Sequence, residues 1–263
     1  MKVRIWGSRG SLPAPLKPEQ VEEKIVQAIH DLPEQIDRRD LAAVRAYVQG
    51  LGALQRGTAG GNTTCVQIDA GGKTFVIDAG TGIRELGLEL MNGPFGRGQG
   101  ELHLFFSHPH WDHIQGFPFF NPAYISGNRI IIYSVHDLHK ALVEQQQFLT
   151  FPVPMSIMKA SIEFITLNED EALRIGDVDI HWVRNAHPGD SYSFRFEDEH
   201  NSFVFASDTE YKDLANGSVQ PHLNFFKDAD ALIFDSQYSL NEGWIKEEWV
   251  HSSAMIGVDM ALA

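Results

Sequence analysis

Between positions 107 and 113 the chain reads Ser-His-Pro-His-Trp-Asp-His, directly after the apolar run Leu102-His103-Leu104-Phe105-Phe106. No other stretch constrains the fold as strongly. Three imidazoles and a carboxylate within six residues, on a loop leaving a buried strand, are costly to hold together unless something compensates them. A cation does so. The strand must therefore end at a place where other elements can bring further ligands. Two more candidates stand at strand ends in the same manner: His187 after Asp179-Ile180-His181-Trp182-Val183-Arg184-Asn185-Ala186, and Asp208 after Ser202-Phe203-Val204-Phe205-Ala206-Ser207. The ligand chemistry is also narrowed by composition. There are 12 His but a single Cys, Cys65, which excludes a disulfide framework and a cysteine-based zinc finger. Imidazole and carboxylate together suit zinc, and also iron or manganese.

The surrounding pattern predicts the scaffold. A short strand over 3–6 ends at Gly7, and a proline-containing loop follows. From 18 to 56 the character changes. Val21, Ile25, Ala28, Ile29 and Leu32, then Leu41, Val44, Val48 and Leu51, fall at helical spacing on either side of Pro33, which reads as a helical hairpin inserted near the N-terminus. Strand signals resume as a pair joined by Gly71-Gly72. Helices are expected over 81–91, 137–149 and 252–263. Strands are expected at 102–106, 130–134, 162–167, 178–184, 191–196, 202–206 and 231–235. Paired strands followed by alternating strands and helices predict a layered α/β or α+β domain. The net charge of −14 argues against a general surface that grips long nucleic acid or anionic membrane, though not against a small anionic substrate. The N-terminus lacks a signal-peptide pattern and no apolar run reaches the roughly 18 residues needed to span a bilayer. The expectation is a cytoplasmic protein with no membrane partner, and a homodimer contact through the insertion is one use for its apolar seam.

The motif His108-x-His110-x-Asp112-His113 resembles that of the metallo-β-lactamase superfamily, together with the isolated His187, Ser207-Asp208-Thr209 and the upstream Ile77-Asp78-Ala79-Gly80-Thr81-Gly82. Gly60-Gly61-Asn62-Thr63-Thr64-Cys65 and His251-Ser252-Ser253 make it most similar to the branch containing ribonuclease Z and phosphoribosyl cyclic-phosphate phosphodiesterase. The resemblance spans nearly the whole chain apart from the insertion. It implies an α+β, four-layer αβ/βα sandwich formed by residues 1–263 as a single domain. It also implies two divalent ions, with zinc expected: His108, His110 and His187 at the first, Asp112 and His113 at the second, and Asp208 bridging both. Asp78 would brace the metal loop, and Asp235 would neighbour a catalytic His251. At His251 a ligand role and a structural role stay open beside the catalytic one, and at Asp235 so does a helix-cap or turn role. Members of that branch carry a further His after the closing helix. The chain ends at Ala263 within that helix, so the expectation is a domain lacking its C-terminal strand, with an incomplete second metal site.

The activity this implies is hydrolysis of a phosphodiester, such as a small cyclic phosphate or nucleotide, by a metal-bridging hydroxide that Asp112 orients, with His251 assisting the leaving oxygen. Two other readings remain: hydrolysis of a lactone, thioester or β-lactam on the same scaffold, and a non-catalytic metal-binding or interaction module. Phe117, Phe119 and Phe120 read mainly as core, with a wall for a nucleobase or acyl group as the alternative. The glycines at 60–61 and 80–82 match no phosphate-loop pattern and read as tight turns that let backbone approach the metal loop.

Overall fold

In the computed structural model, residues 1–58, 61–169, 171–211, 219–238 and 251–263 are described. Period-two alternation organises them into two sheets. The first carries the order β1(Lys2–Gly7)-β2(Cys65–Ala70)-β3(Lys73–Ile77)-β4(Glu101–Phe105)-β5(Arg129–Ser134)-β6(Ser161–Thr166). The second runs β11(Ala231–Phe234)-β10(Ser202–Ala206)-β9(Ser191–Glu197)-β8(Val178–Asn185)-β7(Leu173–Ile175). Strands β3 to β6 pair in parallel, as do β10 and β11, while β1, β2 and β7 to β10 pair antiparallel.

Alternate residues of each strand point to opposite faces, and the strands here divide their apolar residues accordingly. Phe75, Ile77, Phe105, Ile131 and Tyr133 of the first sheet meet Ile180, Phe194, Phe196, Phe203 and Phe205 of the second. Phe105 stacks on Tyr133 at 4.5 Å between ring centroids and meets the edges of Phe194 and Phe196 at 5.4 Å each. On the outer face of the first sheet, Val76, Leu104, Phe106 and Ile132 pack against α4(Gly82–Leu90) and α6(Leu138–Gln145), with Phe117 and Phe120 fully buried among them. On the outer face of the second sheet, Val204 and Ala206 meet Phe226 of α7(Gln220–Phe226) and Met260 of α8(Ala254–Leu262). The result is the expected helix–sheet–sheet–helix sandwich. Cys65, on β2, has no exposure at all, and burial pushes its thiol pKa well above the ordinary value.

The segment expected as a helical hairpin carries α1(Pro18–His30), α2(Leu41–Gly50) and the single turn α3(Ala53–Arg56). Pro18 opens α1, and the Asp40 carboxylate caps α2 by accepting from the Ala42 and Ala43 amides at 2.9 and 3.1 Å, as capping requires. Neither α1 nor α2 buries any residue.

Some expectations shift. The 137–149 helix stops at Gln145, where a turn held by the Thr150 and Phe151 amides donating to the Gln147 carbonyl replaces it. Phe119 is half exposed and rests edge-on against Phe151, unlike its neighbours Phe117 and Phe120. No helix among the described residues is long and apolar enough to cross a membrane.

Candidate metal centre

The site is assembled where strands end. β3 delivers Asp78, β4 delivers His108, β8 delivers His187, β10 delivers Asp208 and β11 delivers Asp235. Carboxyl ends of parallel strands are where such sheets open toward solvent.

Asp78 lies at the base of the site. It is completely buried and holds a left-handed backbone, with φ of 61°, a conformation that costs a non-glycine residue energy unless its surroundings demand it. Here they do. Its amide donates to the Phe105 carbonyl at 2.8 Å, and the following Ala79 amide donates to the His113 carbonyl at 2.7 Å. One carboxylate oxygen accepts from the Ser107 amide at 2.8 Å, and the other contacts His113 Nδ1 at 2.7 Å. The Ser107 hydroxyl reaches both carboxylate oxygens as well as His108 Nδ1, the last at 3.0 Å. Asp78 thereby fixes the ring orientation of His113 directly and that of His108 through one hydroxyl. The backbone is packed closely enough that a Cβ on Gly80 would come 2.5 Å from the Asp112 carbonyl oxygen, which is the close approach expected of the 80–82 glycines.

Three overlapping groups of donor atoms result, each with its members within 4.8 Å of one another: His108, His110 and His187; His108, His113 and Asp208; and Asp208, Asp235 and His251. His108 Nε2 stands 3.0 Å from His110 Nδ1, which is in turn 3.1 Å from His187 Nε2. His113 Nε2 is buried without a hydrogen-bond partner, although Asp208 Oδ2 is 3.3 Å away. A buried ring nitrogen aimed at a carboxylate without completing a hydrogen bond, beside converging imidazoles, fits a divalent ion. Asp112 falls outside these groups. One of its oxygens lies 3.6 Å from His113 Nε2 and accepts the Ser11 amide at 2.7 Å.

The electrostatics set the two buried histidines apart. Burial, reinforced by the charge on His113, pushes the His108 pKa well below the ordinary imidazole value, leaving the neutral form that a metal needs. Burial opposes charge on His113 too, but Asp208 and Asp78 outweigh it and hold its pKa well above the usual range. Burial likewise works against an ionised Asp208, yet the surrounding His113, His108 and His251 keep its carboxyl far below the ordinary value. The pocket thus favours positive charge between these side chains.

Asp235 and His251 form a separate pair. His251 Nδ1 sits 3.0 Å from Asp235 Oδ2, and 3.8 Å from Asp208. The same Asp235 oxygen accepts the Thr209 amide at 3.3 Å and the Ser252 amide at 3.4 Å, so Asp235 ties the Asp208 loop to the His251 segment. Ser253 begins α8 as its cap. Burial raises the Asp235 pKa, partly offset by His251; burial also opposes charge on His251, and Asp235 overrides it, raising its pKa.

Sequence reasoning missed several supporting groups. Ser11, with φ of 66°, sends its amide to Asp112 across 101 positions. Asn185, at the end of β8, donates to Ser191 Oγ at 2.9 Å, and Ser191 Oγ donates to the Asp208 carbonyl at 2.5 Å. His136 Nε2 contacts the Asp190 carbonyl at 2.9 Å, steadying the loop after His187. For Ser11 the local signal is the Gly-Ser-Arg-Gly-Ser stretch at 7–11, which reads equally as an ordinary turn.

Residues 73–262 match the family described as the beta-lactamase superfamily domain. No curated protein matches the chain. Among solved structures, the short form of human tRNase Z superposes with a TM-score of 0.61 at 15% identity, covering 99% of this chain and 88% of its own. The metallo-beta-lactamase fold protein YhfI from Bacillus subtilis gives 0.56 at 22% identity, with 76% and 73% covered. A diphosphatase from the PhnP family gives 0.52 at 18% identity, with 76% and 67% covered. At these identities the likeness is one of fold.

Proposed function

The chain belongs to the beta-lactamase superfamily, and from that premise we propose that it is a metal-dependent hydrolase of small phosphodiesters, of the size of a cyclic phosphate or nucleotide. The observation that carries this reading is the chain of donor groups from His110 and His187 through His108 and Asp208 to the paired Asp235 and His251. A metal centre alone would serve many hydrolyses. A histidine with a raised pKa, buttressed by a carboxylate at the edge of that centre, adds a proton donor for an alkoxide leaving group.

In this reading His108, His110 and His187 would hold one ion, and His113 and Asp208 would take part in a second, zinc being the ion best matched to imidazole and carboxylate. Divalent ions there would acidify a water and offset the negative charge of the phosphoryl oxygens. The remaining work falls to the chain's own side chains. Asp112, its free direction set by the Ser11 amide, orients the attacking water and accepts its proton. Asp235 fixes the ring of His251 and favours its charged form. His251 then faces the departing oxygen and gives it a proton. Asp78 keeps the His113 and His108 rings turned toward the donor cluster.

Zinc-loaded or manganese-loaded protein should hydrolyse bis-(p-nitrophenyl) phosphate, and His110→Ala should lower the rate at least a hundredfold while the protein remains folded. Undiminished turnover by that variant, or hydrolysis confined to lactones, thioesters or β-lactams in a substrate panel, would overturn the phosphodiester reading.

A further inference from the structure

Beside the metal centre, at the open edge between the two sheets, lies a cavity of about 240 Å³. Its floor is apolar: Ile5 from β1, Val66 from β2, Phe205 from β10 and Ile233 from β11. Asp208, Asp235 and His251 line it where it meets the site, so whatever fills the cavity is continuous with the reacting group. Ser8, Ser236 and Gln237 line its polar side. None of these three side chains makes a hydrogen bond among the described residues, and the Gln237 amide stands so close to the backbone that a Cβ on Gly10 would meet its oxygen at 2.5 Å. Among the described residues these polar groups are therefore held near the cavity wall with no hydrogen-bond partner.

We infer that this cavity is a subsite for a nucleobase, the planar, neutral part of a nucleotide substrate. The inference rests on the phosphodiester reading above and deepens it. Its volume falls short of the roughly 300–1,000 Å³ of pockets that enclose a whole small ligand, so it takes one moiety of the substrate. Among the described residues its lining carries no Lys or Arg, so a further phosphate would find neither of these basic side chains to hold it. An apolar floor with a few uncommitted donors and acceptors is the usual make-up of a pocket that orients a heterocycle. The Gln237 amide offers one donor edge and one acceptor edge, and the two hydroxyls offer either, which matches the hydrogen-bonding edge of a base. An alkyl or acyl chain would leave all three unused.

The test compares two esters with the same leaving group, thymidine 5′-(p-nitrophenyl phosphate) and methyl p-nitrophenyl phosphate, on the metal-loaded protein. The nucleoside ester should be preferred at least tenfold in kcat/KM. Gln237→Leu should narrow that preference about tenfold, the scale of one lost hydrogen bond. Ile5→Trp, which fills the cavity from a half-exposed edge position, should narrow it similarly through KM. Equal kcat/KM for the two esters, or variants that lower both equally, would overturn the subsite while leaving the phosphodiester reading intact. Turnover of neither ester would remove both.

Discussion

The sandwich and the helical segment 18–56 are built on opposite terms. In the sandwich, Phe75, Phe105, Phe194 and Phe196 have no exposure. In the segment, Ile25 and Ile29 are 55% and 58% exposed and α1 and α2 bury nothing. Among the described residues, the Tyr47 hydroxyl donates to the Ala28 carbonyl at 3.1 Å within the segment, and the Lys24 ammonium donates to the Gly57 carbonyl just beyond it at 2.9 Å. The difference teaches where precision is needed. Ligands that must meet within a few ångströms stand just past the ends of strands locked by packing, whereas the helical segment contributes none of the donor atoms in those groups. Stability and site geometry should therefore respond strongly to changes in one region and weakly to changes in the other.

The sharpest way to break this contrast is Phe105→Ala. Removing a ring packed against four other aromatics should cost about 3–5 kcal/mol, read as the midpoint of urea unfolding. It should also loosen Asp78, whose amide bonds the Phe105 carbonyl. A loss below about 1 kcal/mol would mean that the inter-sheet core is not what holds the site.

A smaller effect comes from the sandwich's own surface. Lys73, Glu101, Arg129 and Glu163 form a row of ion pairs across β3 to β6. The hydrogen bond from the Lys73 ammonium, opposed by burial and assisted by Arg129, draws the Glu101 carboxyl down to about 2. Because the folded value lies below the ordinary 4.5, its contribution is full above that ordinary value and is lost as pH falls toward 2. Glu101→Gln should therefore lower stability near pH 6 by no more than about 1 kcal/mol, given its exposure. The gap to the unchanged protein should shrink as pH falls below 4.5 and close only below about 2. A gap that widens on acidification would contradict this ion pairing.

The smallest effect is expected in the helical segment. Ile25→Ser together with Ile29→Ser should change unfolding free energy by under about 0.5 kcal/mol each and leave the secondary-structure content of the sandwich unchanged by circular dichroism. A loss of several kcal/mol would show that α1 packs on a surface in solution, and would erase the contrast between the two regions.

The sandwich was legible in the sequence because its signals are local. Alternation along β8, the short apolar runs of β5 and β10, and helical spacing over 82–90 all show within a few residues. The donor residues were legible for a related reason: imidazoles and carboxylates concentrate at strand ends. Less of the support was readable. Ser11 reaches Asp112 from far away in the chain, and its left-handed backbone carries no compositional mark. The one-turn helix α5(Trp111–Ile114) is shorter than any helical period can reveal. The three-residue strand β7 and the seven-residue helix α7 fail for the same reason. Phe119 parted from Phe117 and Phe120 because a 3₁₀ turn over 117–119 rotates it outward, and no spacing rule distinguishes the three.

The burial of Cys65 has a practical consequence. Its thiol is walled off on β2 and held in the unreactive protonated form, and the chain has no other cysteine. The native protein should therefore react only slowly with maleimide and iodoacetamide reagents. A single cysteine introduced on the surface becomes a unique attachment point without first editing the background. A fluorophore or spin label placed on α1, and another on the rim beside Trp111, would each report on its own region alone.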